Sequence, residues 1–257
     1  MHILVTNDDG VQAAGLMALA HELRSLGKVT VFAPDRNWSY TGRVITLDRP
    51  LRVREVRLAD DTPAWSCDGA PSDCVALPLM GFIEEKIDVV VSGINPNANI
   101  GDDVTYSGTV TAAMEAVITG KIPGIAVSLD GPEYHAGPLD FSNAAKVAAR
   151  VTEKAMANRL PEGVLLNVNV PFLPMEQIKG YMVTRHGKRV YLHNLERRVD
   201  PRGRPYYWIG GNAPTGVNEE GTDFGALMAG YVSITPLHLD FTAVAALEKM
   251  KKWNWEE

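Results

Sequence analysis

The sequence predicts an α/β fold with a mostly parallel sheet and helices on both of its faces. Through the first 130 residues, short apolar segments rich in β-branched residues alternate with segments whose apolar residues recur at helical spacing. The apolar run at residues 89–91 has no polar interruption, which is typical of a strand covered on both faces. Strand–helix alternation of this kind connects parallel neighbours in one sheet.

The first elements can be assigned in chain order. Residues 3–6 predict a strand, and residues 29–33 predict the next one. Between them lies a predicted helix, which ends near Gly27. Residues 42–67 contain short apolar–polar alternations, which predict small antiparallel strands. The apolar face of the predicted helix consists of Leu16, Leu19, Ala20 and Leu23.

Later segments continue the alternation. A second helical pattern precedes a predicted strand at residues 125–129. Residues 141–158 predict a long helix, and residues 164–170 predict a strand that Pro171 ends. The second helical pattern is formed by Val110, Ala113, Met114 and Val117.

The C-terminal part predicts an arm and a final helix. Two aromatic-rich segments flank the turn sequence Asp200-Pro201-Arg202-Gly203 and predict a β-hairpin at about residues 188–210. An isolated hairpin is marginally stable in water, so it should pack against another surface, and a partner subunit is the first candidate. A helix is predicted at about residues 242–255. The whole chain, residues 1–257, is interpreted as one domain.

Charge and composition restrict the function classes. The formal net charge of −6 argues against general binding to nucleic acid, and the basic residues of the hairpin are interpreted as a solvated face. Cys67 and Cys74 have a spacing that matches no common zinc motif, so both are expected to be reduced and apolar in role. With neither a signal peptide nor an apolar stretch of about 20 residues, a cytoplasmic protein without membrane segments is expected.

Oxygen-rich loops follow three of the predicted strands. They are Asn7-Asp8-Asp9-Gly10, residues 35–39 ending in Ser39, and residues 92–95 ending in Asn95. In a parallel sheet they would share one edge, where α/β proteins bind ligands. Carboxylate, hydroxyl and amide oxygens suit Mg²⁺, Mn²⁺ or Ca²⁺. Each loop alone is also typical of a solvated turn or a cap, so it is their convergence that favours a metal site.

A fourth loop leads into the second predicted helix. Ser107 is a suitable N-cap, and Gly108 and Thr109 would then begin the helix. Exposed N–H groups there could bind phosphate, although capping alone would also explain Ser107. Asp102 and Asp103 in the same loop are not assigned as ligands. The sequence contains no nucleophile elbow, P-loop or dinucleotide fingerprint.

These loops resemble the stationary-phase survival protein family, SurE. The resemblance extends from Met1 to at least Asp240, and the order and spacing of its short motifs are specific. Departures from the family pattern occur at Tyr40–Thr41, at Pro96–Asn97 and at Ala116. The motifs are NDDG at 7–10, APDRNWS at 33–39, PSDC at 71–74, SGIN at 92–95, GDDVTYSGTV at 101–110, NVNVP at 167–171 and GYVSITPLHLD at 230–240.

The resemblance implies a metal-dependent phosphomonoesterase that acts on nucleoside monophosphates. It implies one divalent ion per subunit, Mg²⁺ or Mn²⁺, held by Asp8, Asp9, Ser39 and Asn95. It also implies a Rossmann-like, three-layer α/β/α core and a homodimer or homotetramer that uses the C-terminal elements. A polyphosphatase or broader phosphomonoesterase at the same site, and a non-catalytic nucleotide-binding stress protein, are the alternatives.

For the chemistry, we expect water activated by the metal to attack the phosphorus. Asp8 and Asp9 are the candidate catalytic residues. Asn95 and the backbone amides near Ser107, Gly108 and Thr109 are the candidate phosphate-binding groups. An aspartyl-phosphate on Asp8 is the mechanistic alternative, although the sequence lacks the D-x-D arrangement of familiar phosphoaspartate enzymes.

Overall fold

The structure, a computed structural model, describes residues 1–132, 135–191, 193–211 and 215–255; residue 192 of the predicted hairpin lies outside these ranges. The strands are β1 His2–Thr6, β2 Lys28–Pro34, β3 Val53–Arg57, β4 Pro63–Cys67, β5 Val89–Asn95, β6 Gly124–Asp130, β7 Val164–Pro171, β8 Tyr181–Val183, β9 Arg189–Val190, β10 His193–Val199, β11 Pro205–Gly211, β12 Thr215–Gly216 and β13 Val232–His238. The α-helices are α1 Ala14–Leu23, α2 Pro71–Leu77, α3 Gly108–Glu115, α4 Ser142–Asn158, α5 Asp223–Met228 and α6 Val244–Met250.

Within the described residues, nine strands form one sheet in the order β3-β4-β2-β1-β5-β6-β7-β13-β8. The strands from β2 through β1, β5 and β6 to β7 pair in parallel. This sheet also contains the antiparallel pairs β3 with β4 and β13 with β7. The prediction of a mostly parallel sheet is confirmed, including the small antiparallel strands before Cys67.

Helices cover both faces of the sheet. Helices α1 and α4 pack on one face, where Leu16, Leu19 and Leu23 of α1 are fully buried. Helices α2 and α3 pack on the other face, against β1, β2 and β5. Burying apolar surface on both sides of the sheet supplies the main stabilisation of such a core. The three-layer α/β/α arrangement expected from the resemblance is therefore present.

The hairpin arm forms around the predicted turn. Strands β10 and β11 pair in antiparallel register from His193 opposite Gly211 to Val199 opposite Pro205. Asp200 closes the turn, because its Oδ1 accepts the backbone N–H groups of Arg202 and Arg204 at 2.8 and 2.9 Å. Large apolar side chains of the arm remain uncovered within the described chain: Leu195, Val199, Tyr207, Trp208 and Ile209 are all more than half exposed.

The final helix is shorter than predicted. Helix α6 spans Val244–Met250 rather than residues 242–255. It ends because the Met250 carbonyl accepts the backbone N–H of Trp253 at 3.1 Å and the indole N–H of Trp255 at 3.0 Å. These bonds replace the bond that would continue the α-helix. Trp253 is 57% exposed, and its ring lies 5.4 Å from that of Trp255.

The two cysteines are free thiols, and both are fully buried where α2 packs on the sheet, as expected. Among the residues that the structure describes, no helix is both long and apolar enough to cross a membrane.

Candidate functional site

The candidate site lies beside β1, where the order in which strands are added to the sheet changes from one side to the other. From β1 the chain moves outward to β2, and it later returns to β5 on the other side of β1. Thr6 pairs with Ser92 at the carboxyl ends of β1 and β5. In open α/β sheets, the crevice at such a switch point is the usual place for a ligand. The loops that contain Asp8 and Asn95 leave the sheet here.

The loop after β1 is shaped by Asn7. This side chain is fully buried; its Nδ2 donates to the Gly10 carbonyl at 3.0 Å, and its Oδ1 accepts the Gly10 N–H at 3.2 Å. Gly10 has φ of +104°, and a Cβ there would lie 3.2 Å from the Arg36 backbone. The sequence therefore needs asparagine and glycine around the two aspartates to turn tightly beside the loop after β2.

Asp8 is held against the start of α3. Its side chain is only 4% exposed, and its Oδ1 accepts a hydrogen bond from the Thr109 hydroxyl at 2.6 Å. Burial raises the pKa of Asp8, and the bonds from Thr109 and the backbone near Gly108 partly oppose that rise. A Cβ on Gly108 would lie 2.6 Å from the Asp8 Cβ, so only glycine permits this approach.

Asp9 carries a charge that this part of the molecule does not neutralise. Burial, followed by the neighbouring charge of Asp8, raises the pKa of Asp9 to about 7. Among the described residues, its carboxylate has no hydrogen bond or ion pair. A buried carboxylate beside a half-buried one, without a cationic side chain, is unfavourable on its own. A bound cation would remove this cost, so the chemistry of the pair fits a metal.

The loop after β2 is tied to both neighbouring loops. The Trp38 N–H donates to the Asp8 carbonyl at 2.8 Å, which places Ser39 one residue from that contact. The Ser39 N–H donates to the Asn37 Oδ1 at 2.6 Å, and Ser39 is half-buried. Four residues beyond Trp38, the Gly42 N–H donates to the Tyr106 carbonyl at 3.0 Å. Ser39 is thus held between the Asp8 loop and the loop that precedes α3.

Asn95 reaches the same edge from β5. Its Nδ2 donates to the Asn97 carbonyl at 2.5 Å, which leaves its Oδ1 available to a ligand. The side chain is half-buried, and no direct bond to Asp8 or Asp9 is found among the described residues. Asn95 therefore joins the other candidates through the pairing of β1 with β5 rather than through a side-chain contact.

The donor set suits a hard cation. Across the described residues, no group of three or more histidine, cysteine, aspartate or glutamate side chains could hold a metal. The candidate set instead combines two carboxylates with a hydroxyl and an amide oxygen, which are the ligands that Mg²⁺ and Mn²⁺ favour. So few protein ligands leave coordination positions for water and phosphate.

The predicted helix start is confirmed at Ser107. The Ser107 Oγ accepts the Val110 N–H at 3.1 Å, so it caps α3. Thr109 begins the helix and also orients Asp8, because its hydroxyl donates a hydrogen bond to the Asp8 carboxylate. The amides of Gly108 and Thr109 lie beside that carboxylate, at the positive end of α3.

Asp103 has a structural role. It accepts hydrogen bonds from the Arg189 Nε, at 2.5 Å, and from the Tyr191 hydroxyl. This ion pair links the loop before α3 to the base of the arm, which agrees with leaving Asp103 out of the ligand set.

Sequence reasoning missed a buried amide network beneath the Asn95 loop. The Asn99 carbonyl accepts the side-chain amides of Asn167 and Asn169 at 2.8 and 3.0 Å, and Asn99 Nδ2 donates to Ser128 Oγ at 2.8 Å. All four side chains are buried. The signal was present in the sequence, because Asn167 and Asn169 alternate with valines in a strand where polar residues would otherwise be excluded.

Comparison with known proteins shows which family this chain is similar to. The family model described as survival protein SurE matches residues 3–193. The chain is 53% identical over 256 residues to a protein of Herpetosiphon aurantiacus named 5'-nucleotidase SurE, with 99% of each chain covered. It is 50% identical to the protein of the same name from Chloroflexus aggregans, with 100% of each covered. The crystal structure of a SurE protein from Aquifex aeolicus aligns with a TM-score of 0.82 at 42% identity, covering 98% of each chain.

Proposed function

This chain belongs to the SurE family, and we propose that it hydrolyses nucleoside monophosphates with a divalent cation held by Asp8, Asp9, Ser39 and Asn95. It is a hydrolase, a 5'-nucleotidase that releases phosphate from its substrate. Dependence on a metal is a general property of the family. The identity of that metal as Mg²⁺ or Mn²⁺, with one ion per subunit, is part of the proposal, as are the ligand assignments.

The observation that carries this proposal is the adjacent pair of buried Asp8 and half-buried Asp9 beside the start of α3. Asp8 is oriented by the Thr109 hydroxyl, and Asp9 has no compensating partner among the described residues. When bound there, the cation would neutralise phosphoryl oxygens and lower the pKa of a water molecule. The carboxylates would hold that cation, and Asn95 Oδ1 would bind from the neighbouring strand end.

Groups of the chain itself would then stabilise the transferring phosphoryl group and orient the attacking water. The N–H groups of residues 107–109, with the Asn95 amide, would stabilise the negative charge that develops on the transferring phosphoryl group. Water oxygen forms the new bond to phosphorus as the ester P–O bond breaks, and the nucleoside hydroxyl leaves with a proton. Asp8 or Asp9 would orient the attacking water.

We favour attack by water over a covalent intermediate on Asp8. The Asp8 Oδ1 is engaged by Thr109, and its Oδ2 lies against Gly108, where a Cβ would be 2.9 Å away. A nucleophilic carboxylate must move toward phosphorus in line with the leaving group, and these two contacts hold Asp8 in place, whereas holding a cation requires no such movement.

The test is phosphate release from a panel of nucleoside monophosphates by metal-stripped protein, before and after Mg²⁺ or Mn²⁺ is restored. We expect activity only with metal. Absence of turnover with every metal, together with retained nucleotide binding, would instead support a non-catalytic binding protein.

Self-association is proposed from the arm and α6. Trp208 and Ile209 are 62% and 82% exposed, and α6 has no buried residue among those described. Large uncovered apolar surfaces of this kind mark contact sites between proteins. We propose that a second copy of the chain covers them in a homodimer, which could pair again as a homotetramer. Light scattering on wild-type protein and on Trp208→Glu tests this, and the variant should have the lower mass.

A further inference from the structure

We propose that the exposed rings of Tyr40 and Tyr106 hold the nucleobase of the substrate at the rim of the site. This inference rests on the proposed function, because it presumes a nucleotide whose phosphate lies near Asp8 and the start of α3. It assigns recognition of the base to two side chains that the hydrolytic step itself does not require.

Tyr106 presents a free ring from a fixed backbone. Its N–H donates to the Asp103 carbonyl at 2.9 Å, and its carbonyl accepts the Gly42 N–H at 3.0 Å. It directly precedes Ser107, the N-cap of α3. The side chain is 62% exposed, and its hydroxyl has no hydrogen bond among the described residues. The ring therefore stands next to the proposed phosphate site without a structural partner.

Tyr40 is unusual in both its backbone and its exposure. It directly follows Ser39, has φ of +61°, and is 88% exposed. Positive φ is rare for a bulky side chain, and such conformations cluster at functional sites. The turn is closed by the Thr41 hydroxyl, which donates to the Trp38 carbonyl at 2.7 Å. Nothing in the core requires a tyrosine here, because the ring lies almost entirely in solvent.

The two tyrosines rise from loops that are bonded to each other. Gly42, two residues after Tyr40, contacts the Tyr106 carbonyl, and its own carbonyl accepts the Thr111 hydroxyl at 3.3 Å. Both rings thus lie beside residues assigned to the metal and the phosphate, and both face water. In this inference, a nucleotide bound by its phosphate near Asp8 extends its ribose and base outward past this rim.

Aromatic stacking is the chemistry that this rim offers. Every nucleobase has a π-face, so stacking on tyrosine binds bases with little preference among them. Among the contacts of the described residues, neither ring forms an aromatic pair or a cation–π contact within the chain. Their faces are therefore available to a base, and a site of this kind predicts broad acceptance of nucleoside monophosphates.

The test distinguishes binding of the base from binding of the phosphate. Wild type and variants are assayed with AMP and with ribose 5-phosphate, which lacks a base, and inhibition by adenosine and by inorganic phosphate is measured in parallel. Tyr40→Gly removes the ring while keeping a residue that favours positive φ. Tyr106→Ala removes the second ring, and Phe at each position preserves stacking. Tyr181→Ala on β8, at the far edge of the sheet, is the matched control because Tyr181 is also about half exposed.

We expect Tyr40→Gly and Tyr106→Ala each to lose about five- to one-hundredfold in kcat/KM for AMP and similarly in adenosine inhibition. Ribose 5-phosphate turnover and phosphate inhibition should stay within about twofold of wild type, as should both Phe variants and Tyr181→Ala on AMP. Equal losses on AMP and ribose 5-phosphate, loss in only one of the two ring-removing variants, or no loss would overturn the inference. A wild type that releases no phosphate with any metal would refute the proposed function itself.

Discussion

Replacing Asp9 with asparagine removes the charge of a half-buried side chain while keeping its size and shape. In the metal-free protein, burial and the charge of Asp8 raise the pKa of Asp9 from 3.8 to about 7. The folded state therefore binds a proton between about pH 4 and 7 that the unfolded state has released. Linkage then requires the free energy of unfolding of the wild type to fall as the pH rises through this window.

The size of the effect follows from the shift. Each pKa unit corresponds to about 1.4 kcal/mol, so the full cost of ionising Asp9 has a ceiling of about 4 kcal/mol above pH 7. An asparagine side chain cannot ionise, so Asp9→Asn should be the more stable protein in metal-free buffer. The difference in unfolding free energy should grow by about 2 kcal/mol between pH 5.5 and 7 and change little above pH 8.

Urea unfolding in the presence of a chelator, at several pH values, measures this difference. Asp61→Asn is the matched control, because it makes the same chemical change on a side chain that is 82% exposed. Adding Mn²⁺ at a hundred times its dissociation constant should stabilise wild type by about 2.7 kcal/mol, and Asp9→Asn much less. A difference between the two proteins that does not depend on pH, or equal stabilisation of both by Mn²⁺, would refute the reasoning.

Substitutions at three further positions test the geometry around Asp8. Asp8→Asn should retain the fold by circular dichroism but lose activity by about a hundredfold or more, because it removes a charge from the proposed metal site; normal turnover would contradict the assignment. Gly108→Ala should lower kcat by about tenfold or more, since the new Cβ would lie 2.6 Å from the Asp8 Cβ and displace the carboxylate; a crystal structure with Asp8 unmoved would argue against this. Thr109→Val leaves a buried oxygen of Asp8 without its hydrogen bond at a cost of about 1–3 kcal/mol, so kcat/KM and stability should both fall, whereas Thr109→Ser should restore them.

Periodicity along the chain predicted the layers of the fold because those layers depend on local patterns. The spacing of Leu16, Leu19 and Leu23 was enough to identify α1, and the run of valines at residues 89–91 identified a buried strand. The end of α6 was not predictable in this way. It depends on the Trp255 indole folding back to the Met250 carbonyl, which is a contact rather than a pattern.

The shared sheet edge of the candidate residues was predictable from the sequence, but the contacts between them were not. Asp8, Asp9, Ser39 and Asn95 follow strands, so a parallel sheet was enough to place them on one edge. The bond between Thr109 and Asp8 joins residues far apart in the chain, and no local signal reports it. The positive φ of Tyr40 and the exposure of its ring were equally unpredictable, because amino-acid composition carries no signal for either.

The position of β13 has a consequence for synthesis of the chain on the ribosome. The parallel strands β1, β2, β5, β6 and β7 and all of the proposed ligands emerge by Pro171, whereas β13, which pairs with the β7 edge, begins at Val232, about 60 residues later. At a translation rate of about 5–20 residues per second, the β7 edge stays unpaired for roughly 3–12 s before β13 is synthesised. An open apolar strand edge is a template for pairing with other chains. We therefore expect nascent chains stalled before residue 232 to need a chaperone, even though the loops of the candidate site are already complete.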